Sequence, residues 1–145
     1  MAEALAEAAQ AAEEGEVPVG AVVLSPAGDI LGRGRNRPEQ THDPTAHAEV
    51  EALRSACRTA RNYRLGGCVL AVTLEPCLMC VGALAHSRVA GVVYGAPDPV
   101  AGAADSCLDG FDQPFLNHRV WRLGGIREEE CASLLRDFFA ARRGL

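Results

Sequence analysis

The length, composition and charge of the chain limit the classes of protein to which it can belong. Its 145 residues are 48% hydrophobic and carry a formal net charge of −5, which suits one domain over residues 1–145 with a single core. Residues 1–14 lack the basic and apolar segments of a secretory signal. No apolar run approaches the roughly 18 residues that a membrane-spanning helix needs. We therefore expect a cytoplasmic protein without membrane association, whose cysteines are reduced or metal-bound.

Alternating helical and extended patterns predict an α/β fold. In chain order the predicted elements are a helix (1–14), two strands joined by a turn (20–24 and 30–34), a helix (47–61), a strand (68–74), a helix (77–87), two strands (89–94 and 120–123) and a helix (128–142). The first two strands form a hairpin, and the strands around helix 77–87 pair in parallel. The sequence therefore predicts a three-layer α/β/α sandwich with a mixed sheet of about five strands. The long connection 96–119 is of a length that is often functional.

Prolines mark the expected starts of two helices. Asp43 is predicted to cap the helix that carries His47 and Glu49, with Pro44 at its opening. Pro76 is predicted near the first helical position of the next helix, which carries Cys77 and Cys80. Residues three apart share one face of a helical turn. Both sets of side chains therefore lie near helix N-termini.

These side chains indicate a catalytic zinc site. Such a site has three protein ligands and leaves a fourth position open, and His47, Cys77 and Cys80 supply three. Glu49 is a carboxylate beside the ligands that is free to move protons. Taken alone, the C-x-x-C pair also suits a redox pair or half of a structural site, and H-x-E alone is weaker still. Together they match the signature of zinc nucleobase deaminases.

The other cysteines are predicted to be small core residues, because free cysteine is among the most buried residue types. They are Cys57, Cys68, Cys107 and Cys131. Cys57 lies about 15 Å from His47 along a continuous helix. It is therefore excluded as a fourth ligand.

Segments along nearly the whole chain resemble one family. They are residues 15–22, 36–38, 43–49, 62–65, 72–83, 93–96, 102–104, 117–119 and 138–143. In these segments the chain is similar to the bacterial tRNA-specific adenosine deaminases of the cytidine and deoxycytidylate deaminase superfamily. The resemblance implies a cytidine-deaminase-like fold, one Zn²⁺ per chain, a homodimer and an enzyme that binds the tRNA anticodon loop. The implied reaction converts adenosine to inosine at the wobble position of an arginine tRNA.

The resemblance also implies the roles of individual residues. Glu49 is the catalytic proton carrier, and Asn36 hydrogen-bonds the flipped base while the backbone at Ala48 and Glu75 lines its pocket. The implied RNA contacts are Asp98, Phe138, Arg142 and Arg143. Asn36 also suits a plain turn residue, and Phe138 suits the core equally well.

The segment after Gly95 departs from the family pattern. Asp98 is retained, but Pro97 and Pro99 flank it where the family typically has basic residues nearby. Asp105 stands where a glycine is more usual. We expect this loop to be stiffer and less basic, which weakens the case for RNA contacts through it.

Two other functions stay open. The net charge of −5 favours a deaminase of a free base or nucleoside, such as guanine or cytosine, because phosphate contacts usually come from lysine and arginine. A basic patch for RNA would draw on Arg33, Arg35, Arg37, Arg64, Arg142 and Arg143. The third function is a non-catalytic, zinc-stabilised RNA-binding module. The presence of Glu49 and the missing fourth ligand argue against it.

Overall fold

The computed structural model describes residues 1–144 and consists of a five-stranded sheet with helices on both faces. The strands are β1 (Gly20–Leu24), β2 (Ile30–Arg35), β3 (Val69–Leu74), β4 (Gly91–Ala96) and β5 (Trp121–Leu123). The helices are α1 (Ala2–Glu13), α2 (Pro38–Thr41), α3 (Ala48–Ala60), α4 (Leu78–His86) and α5 (Glu128–Arg142), and a 3₁₀ turn spans Gly110–Asp112. No helix within residues 1–144 has the length and apolar character needed to cross a membrane.

The sheet is mixed, as the sequence predicts. Its strand order is β2-β1-β3-β4-β5. The hairpin of β1 and β2 is antiparallel, and β1 also pairs antiparallel with β3. The pairs β3–β4 and β4–β5 are parallel. The predicted parallel unit of strand, helix and strand around α4 is therefore confirmed.

Glycines in the strands bring the helices close to the sheet. A Cβ on Gly20 would lie 2.1 Å from the Ala4 carbonyl oxygen of α1. On the other face, a Cβ on Gly32 or Gly34 would collide with the backbone of α3. Because only glycine permits such contact, α1 and α3 pack directly on the two faces of the sheet. With α4 beside α3 and α5 beside α1, the three predicted layers are confirmed.

The predicted helices 47–61 and 77–87 each begin one residue later than expected, and the cap and proline signals assigned to their starts lie outside the helices. α3 begins at Ala48 with His47 at the N-cap position. The Asp43 carboxylate instead accepts hydrogen bonds from the Thr45 amide and hydroxyl, so Asp43 and Pro44 form the turn before the helix. α4 begins at Leu78 with Cys77 at the N-cap position, which leaves Pro76 outside the helix. Each proline therefore lies in the segment leading to a helix.

The short helix α2 was not expected from the sequence. Pro38 occupies one of its first positions, and the backbone N–H groups of Glu39 and Gln40 donate hydrogen bonds to the Glu16 carboxylate. Glu16 is only 2% exposed. A buried carboxylate 20 or more residues away thus stabilises the N-terminus of this helix, a contact that local sequence does not reveal.

The cysteine predictions are confirmed in part. Cys68 and Cys131 are buried and Cys57 is half-buried, but Cys107 is exposed. Cys107 lies in the connection after β4 and contacts the Pro99 carbonyl rather than the core. The prediction that Cys107 packs in the core is wrong, because the long connection turns this side chain toward solvent.

Candidate active site

His47 is placed by the packing of α3 on β2 and by the turn before it. Its backbone is extended, and its N–H group donates to the Thr45 carbonyl. The next amide, Ala48 N–H, donates to the Asn36 side-chain oxygen at 2.8 Å. One of the amides left unpaired at the start of α3 is thereby satisfied. Asn36 thus fixes the start of the helix and the position of the His47 ring.

Cys77 and Cys80 reach His47 from the start of α4. The Cys77 sulfur lies 3.6 Å and the Cys80 sulfur 3.7 Å from His47 Nδ1. Zn–N and Zn–S bonds of about 2.0 and 2.3 Å at a tetrahedral angle separate nitrogen from sulfur by about 3.5 Å. The three side chains therefore fit one zinc ion with an open fourth position, and all three ligand atoms lie within 4.8 Å of one another.

Hydrogen bonds among the three side chains shift their pKa values. The Cys80 thiol donates to Cys77, and His47 adds a second hydrogen bond, which together lower the pKa of Cys77 to about 4 against the opposing effect of burial. The same pairing raises the pKa of Cys80. The hydrogen bond with Cys77 raises the pKa of His47. Cys77 is thus a thiolate at neutral pH, the form that binds metal.

Glu49 lies beside the ligands and is 4% exposed. Burial raises the pKa of its carboxyl group to about 7, and the negative charge of Cys77 acts in the same direction. A carboxyl group with a pKa near neutral both accepts and donates protons readily. As the sequence suggests, Glu49 is close to the three ligands and outside their group.

A cleft of about 300 Å³ opens onto these side chains. It is lined by Val17, Val19, Asn36, Pro38, His47, Glu49, Leu74, Glu75, Cys77, Asp98 and Ala101. Six of these are residues that the sequence singled out, and Cys80 is buried behind the cleft. The apolar lining at Val17, Val19 and Leu74 was not singled out. Val17 and Val19 lie just before β1, and Leu74 is the last residue of β3. In the sequence, their hydrophobic character is the only feature that could have pointed to them.

Glu75 contributes its side chain as well as its backbone. The carboxylate is 2% exposed and accepts hydrogen bonds from four backbone N–H groups and one hydroxyl of the segment 97–106, which we call the wall loop. Burial alone would raise the pKa of Glu75, but hydrogen bonds from Ser106, Asp105 and Asp98 outweigh it and lower the pKa. Sequence reasoning missed this role. The only signal is a charged residue directly after an apolar strand.

The wall loop brings Asp98 to the cleft. Asp98 Oδ1 accepts hydrogen bonds from the backbone N–H groups of Val100 and Ala101, which fixes the turn between Pro97 and Ala101. Such a side-chain-capped turn is a stable local structure. Asp98 therefore holds the turn and is one of the residues that line the cleft.

The predicted RNA contacts of α5 do not line the cleft. Arg142 donates to the Gly15 carbonyl, lies 3.7 Å from the Glu39 carboxylate and stacks over Phe138. Arg143 is exposed beside it. Because Glu39 follows the cleft residue Pro38, the end of α5 lies near the rim of the cleft.

Two arginines proposed for a basic patch are paired with acidic residues. Arg33 binds Glu3, and Arg35 binds Glu7 and Glu14. Their charges are therefore partly neutralised by the acidic side chains of α1 and of Glu14 directly after it. Any basic surface for a nucleic acid depends more on the remaining four candidates, which are Arg37, Arg64, Arg142 and Arg143. Arg64 stacks on the exposed Tyr63.

Comparison with known proteins agrees with this geometry. A model of the cytidine and deoxycytidylate deaminase zinc-binding region matches residues 1–96. A tRNA-specific adenosine deaminase of Haemophilus influenzae is 46% identical over 89% of this chain and 75% of its own length. A tRNA(Ile)-lysidine synthase of Deinococcus radiodurans is 50% identical over 96% of this chain, but this chain spans only 24% of that protein.

A solved structure of similar sequence has the same fold as this chain. It comes from a study of A-to-I editing by tRNA A34 deaminases at the wobble position of transfer RNA, and it superposes with a TM-score of 0.90 at 42% identity. The match covers 93% of this chain and 97% of the other. The chain therefore belongs to the cytidine and deoxycytidylate deaminase family of zinc-binding proteins, together with the tRNA-specific adenosine deaminases it resembles.

Proposed function

We propose that this protein hydrolyses adenosine to inosine at the wobble position of an arginine tRNA. The observation that carries the proposal is the buried Glu49 beside His47, Cys77 and Cys80 at the base of one cleft. The similarity to adenosine deaminases of tRNA supports the substrate class. The expected single domain, homodimer and cytoplasmic location form part of the same proposal.

In this proposal His47, Cys77 and Cys80 bind zinc and Glu49 transfers protons. Zinc held by these three side chains would act as a Lewis acid and would lower the pKa of a coordinated water to about 7. Glu49 accepts a proton from the attacking water and donates one to the ring nitrogen of adenine. It then takes the remaining proton from the hydroxyl group added at C6 and transfers it to the leaving amino group, so that the C6 carbonyl forms as the C–N bond breaks. Water adds at C6, ammonia departs and inosine remains, so the overall reaction is balanced.

The cleft walls support binding of a base that has been turned out of the RNA. The side-chain oxygen of Asn36 accepts a hydrogen bond from Ala48 N–H. The NH₂ group of Asn36 is therefore left to donate to an acceptor on the base. Glu75 and Asp98 also line the cleft, whereas Ala48, whose backbone the resemblance assigns to the pocket of the base, is buried and lies outside the set of lining residues. We further propose that Phe138, Arg142 and Arg143 contact the anticodon loop at the rim, with an aromatic ring available for stacking.

A deaminase of free bases or nucleosides is the second candidate. The net charge of −5 and the ion pairs of Arg33 and Arg35 favour it, because they reduce the attraction for phosphate. A cleft of about 300 Å³ also accepts a free base. The two candidates differ in whether residues beyond the cleft contribute to binding.

A substrate panel separates the two candidates. The zinc-loaded protein is incubated with an arginine tRNA anticodon stem-loop and with free adenosine, guanine and cytidine, and each product is quantified by chromatography. We expect inosine from the stem-loop and a kcat/KM on free adenosine at least about 100-fold lower, because remote RNA contacts are lost. Product from guanine or cytidine only, or from adenosine only as the free nucleoside, would refute the tRNA substrate.

A further inference from the structure

The wall loop is attached to the molecule on two sides. Glu75 at the end of β3 holds the inner side through the backbone N–H groups of Asp98, Ala104, Asp105 and Ser106. A Cβ on Gly102 would lie 2.4 Å from the Glu75 carboxyl carbon. The loop therefore follows the buried carboxylate closely, and Asp98 and Ala101 form part of the cleft as a result.

The outer attachment is the side chain of Asp105. The Tyr94 hydroxyl donates to Asp105 Oδ2 at 2.6 Å, and Arg122 Nε donates to Asp105 Oδ1 at 3.0 Å. Tyr94 belongs to β4 and Arg122 to β5, so one carboxylate joins the wall loop to two neighbouring strands. Hydrogen bonds to an ionised group are about twice as strong as neutral ones.

The partners of Asp105 are themselves fixed. Tyr94 is 5% exposed, and a Cβ on Gly124 would lie 2.3 Å from its ring, so glycine at 124 makes the space for this side chain. Arg122 is also held at 2.8 Å by Asp112 in the 3₁₀ turn. The donors therefore stand in place independently of the loop.

We propose that Tyr94, Asp105 and Arg122 form a clamp that holds the wall loop in its substrate-receiving position before the substrate binds. They are positioning residues for the deamination proposed above, and this inference rests on that function. A loop ordered in advance raises the fraction of protein that is competent to bind, which lowers the apparent Kd and KM without changing the chemical step.

Variants of the clamp test this inference through KM and kcat separately. Asp105→Ala removes the acceptor, and Tyr94→Phe removes only one hydroxyl and preserves the packing. We expect KM for the stem-loop to rise about tenfold in the first and about fivefold in the second, with kcat within about twofold, as for loss of one or two hydrogen bonds. Asp105→Asn keeps an oxygen for the donors and should recover part of the loss. The matched control is Glu130→Ala, which breaks an exposed carboxylate–arginine pair with Arg127 outside the wall loop and the clamp and should leave KM nearly unchanged.

Hydrogen exchange of the protein without RNA gives an independent result. Residues 97–106 should exchange faster in both clamp variants than in Glu130→Ala, because local opening becomes easier. Unchanged exchange in the loop, or unchanged KM with faster exchange, would overturn the clamp. A loss of kcat at constant KM would also overturn it. If the unaltered protein makes no inosine, the proposed function fails together with the catalytic part of the clamp, whereas loop exchange still decides whether the clamp orders the wall loop.

Discussion

Replacing Glu49 with alanine should abolish deamination while the protein retains one zinc per chain. Glu49 lies outside the ligand group and is buried beside it, so its loss removes proton transfer and leaves the metal site intact. Positioned proton transfer contributes about 10²- to 10⁴-fold to a rate. We therefore expect kcat to fall by at least about 100-fold, as measured by inosine formation with zinc quantified on the same sample.

Glu51→Ala is the matched control for this variant. Glu51 lies on the same helix, lines none of the cleft and pairs with Arg54 near the surface. It should retain nearly full activity and zinc. The thermal midpoint of Glu49→Ala should not fall, because a buried carboxylate whose pKa is raised stabilises the fold little or not at all. A Glu49→Ala protein that deaminates at the parent rate would refute the catalytic role and favour a non-catalytic zinc module.

Replacing His47 with alanine should remove both zinc and much of the thermal stability. His47 supplies the nitrogen that lies 3.6 and 3.7 Å from the two sulfurs, and two thiolates alone do not close a site of this kind. A metal that binds only the folded chain stabilises it by about 4 kcal/mol at a thousandfold excess over its Kd. We therefore expect the thermal midpoint to fall by about 10 °C, measured by calorimetry alongside the zinc content.

The chelated parent protein provides the comparison for His47→Ala. Removal of zinc from the parent should lower its midpoint to that of the variant, while zinc should no longer raise the midpoint of the variant. His86→Ala, an exposed histidine in the last turn of α4, should bind zinc and melt like the parent. Full zinc occupancy in His47→Ala would remove His47 from the ligand set.

The fold is predictable from local patterns because its elements are strongly periodic. The hairpin of β1 and β2, the parallel pair around α4 and the helix α5 follow from apolar spacing and turn residues alone. The helix starts are less accurate, because Pro44 and Pro76 are compatible both with a first helical turn and with the segment before it. For Pro44, the hydrogen bond from Thr45 N–H to Asp43 forms a turn before the helix. The spacing of residues does not show this contact.

The candidate site is predictable where its chemistry depends on residue type and spacing. His47, Glu49, Cys77 and Cys80 could be singled out because few residue types bind zinc or move protons. The residues that hold the cleft wall in place could not be singled out, because their partners are far away in the sequence. Glu75 accepts hydrogen bonds from a loop about 30 residues later, and Asp105 accepts hydrogen bonds from Tyr94 and Arg122 on two different strands. Similarly, the sequence offers Arg33 and Arg35 as phosphate ligands, whereas the fold pairs them with α1 and its end.

Position-specific detection of inosine is the most direct test of the proposed function. An arginine tRNA anticodon stem-loop with adenosine at the wobble position is compared with a second stem-loop in which that adenosine is moved by one nucleotide. Both are digested after incubation and sequenced by mass spectrometry. We predict inosine at the wobble position of the first RNA and at least about 100-fold slower conversion in the second. Equal conversion of both RNAs, or no conversion of the first by zinc-loaded protein, would contradict the proposed function.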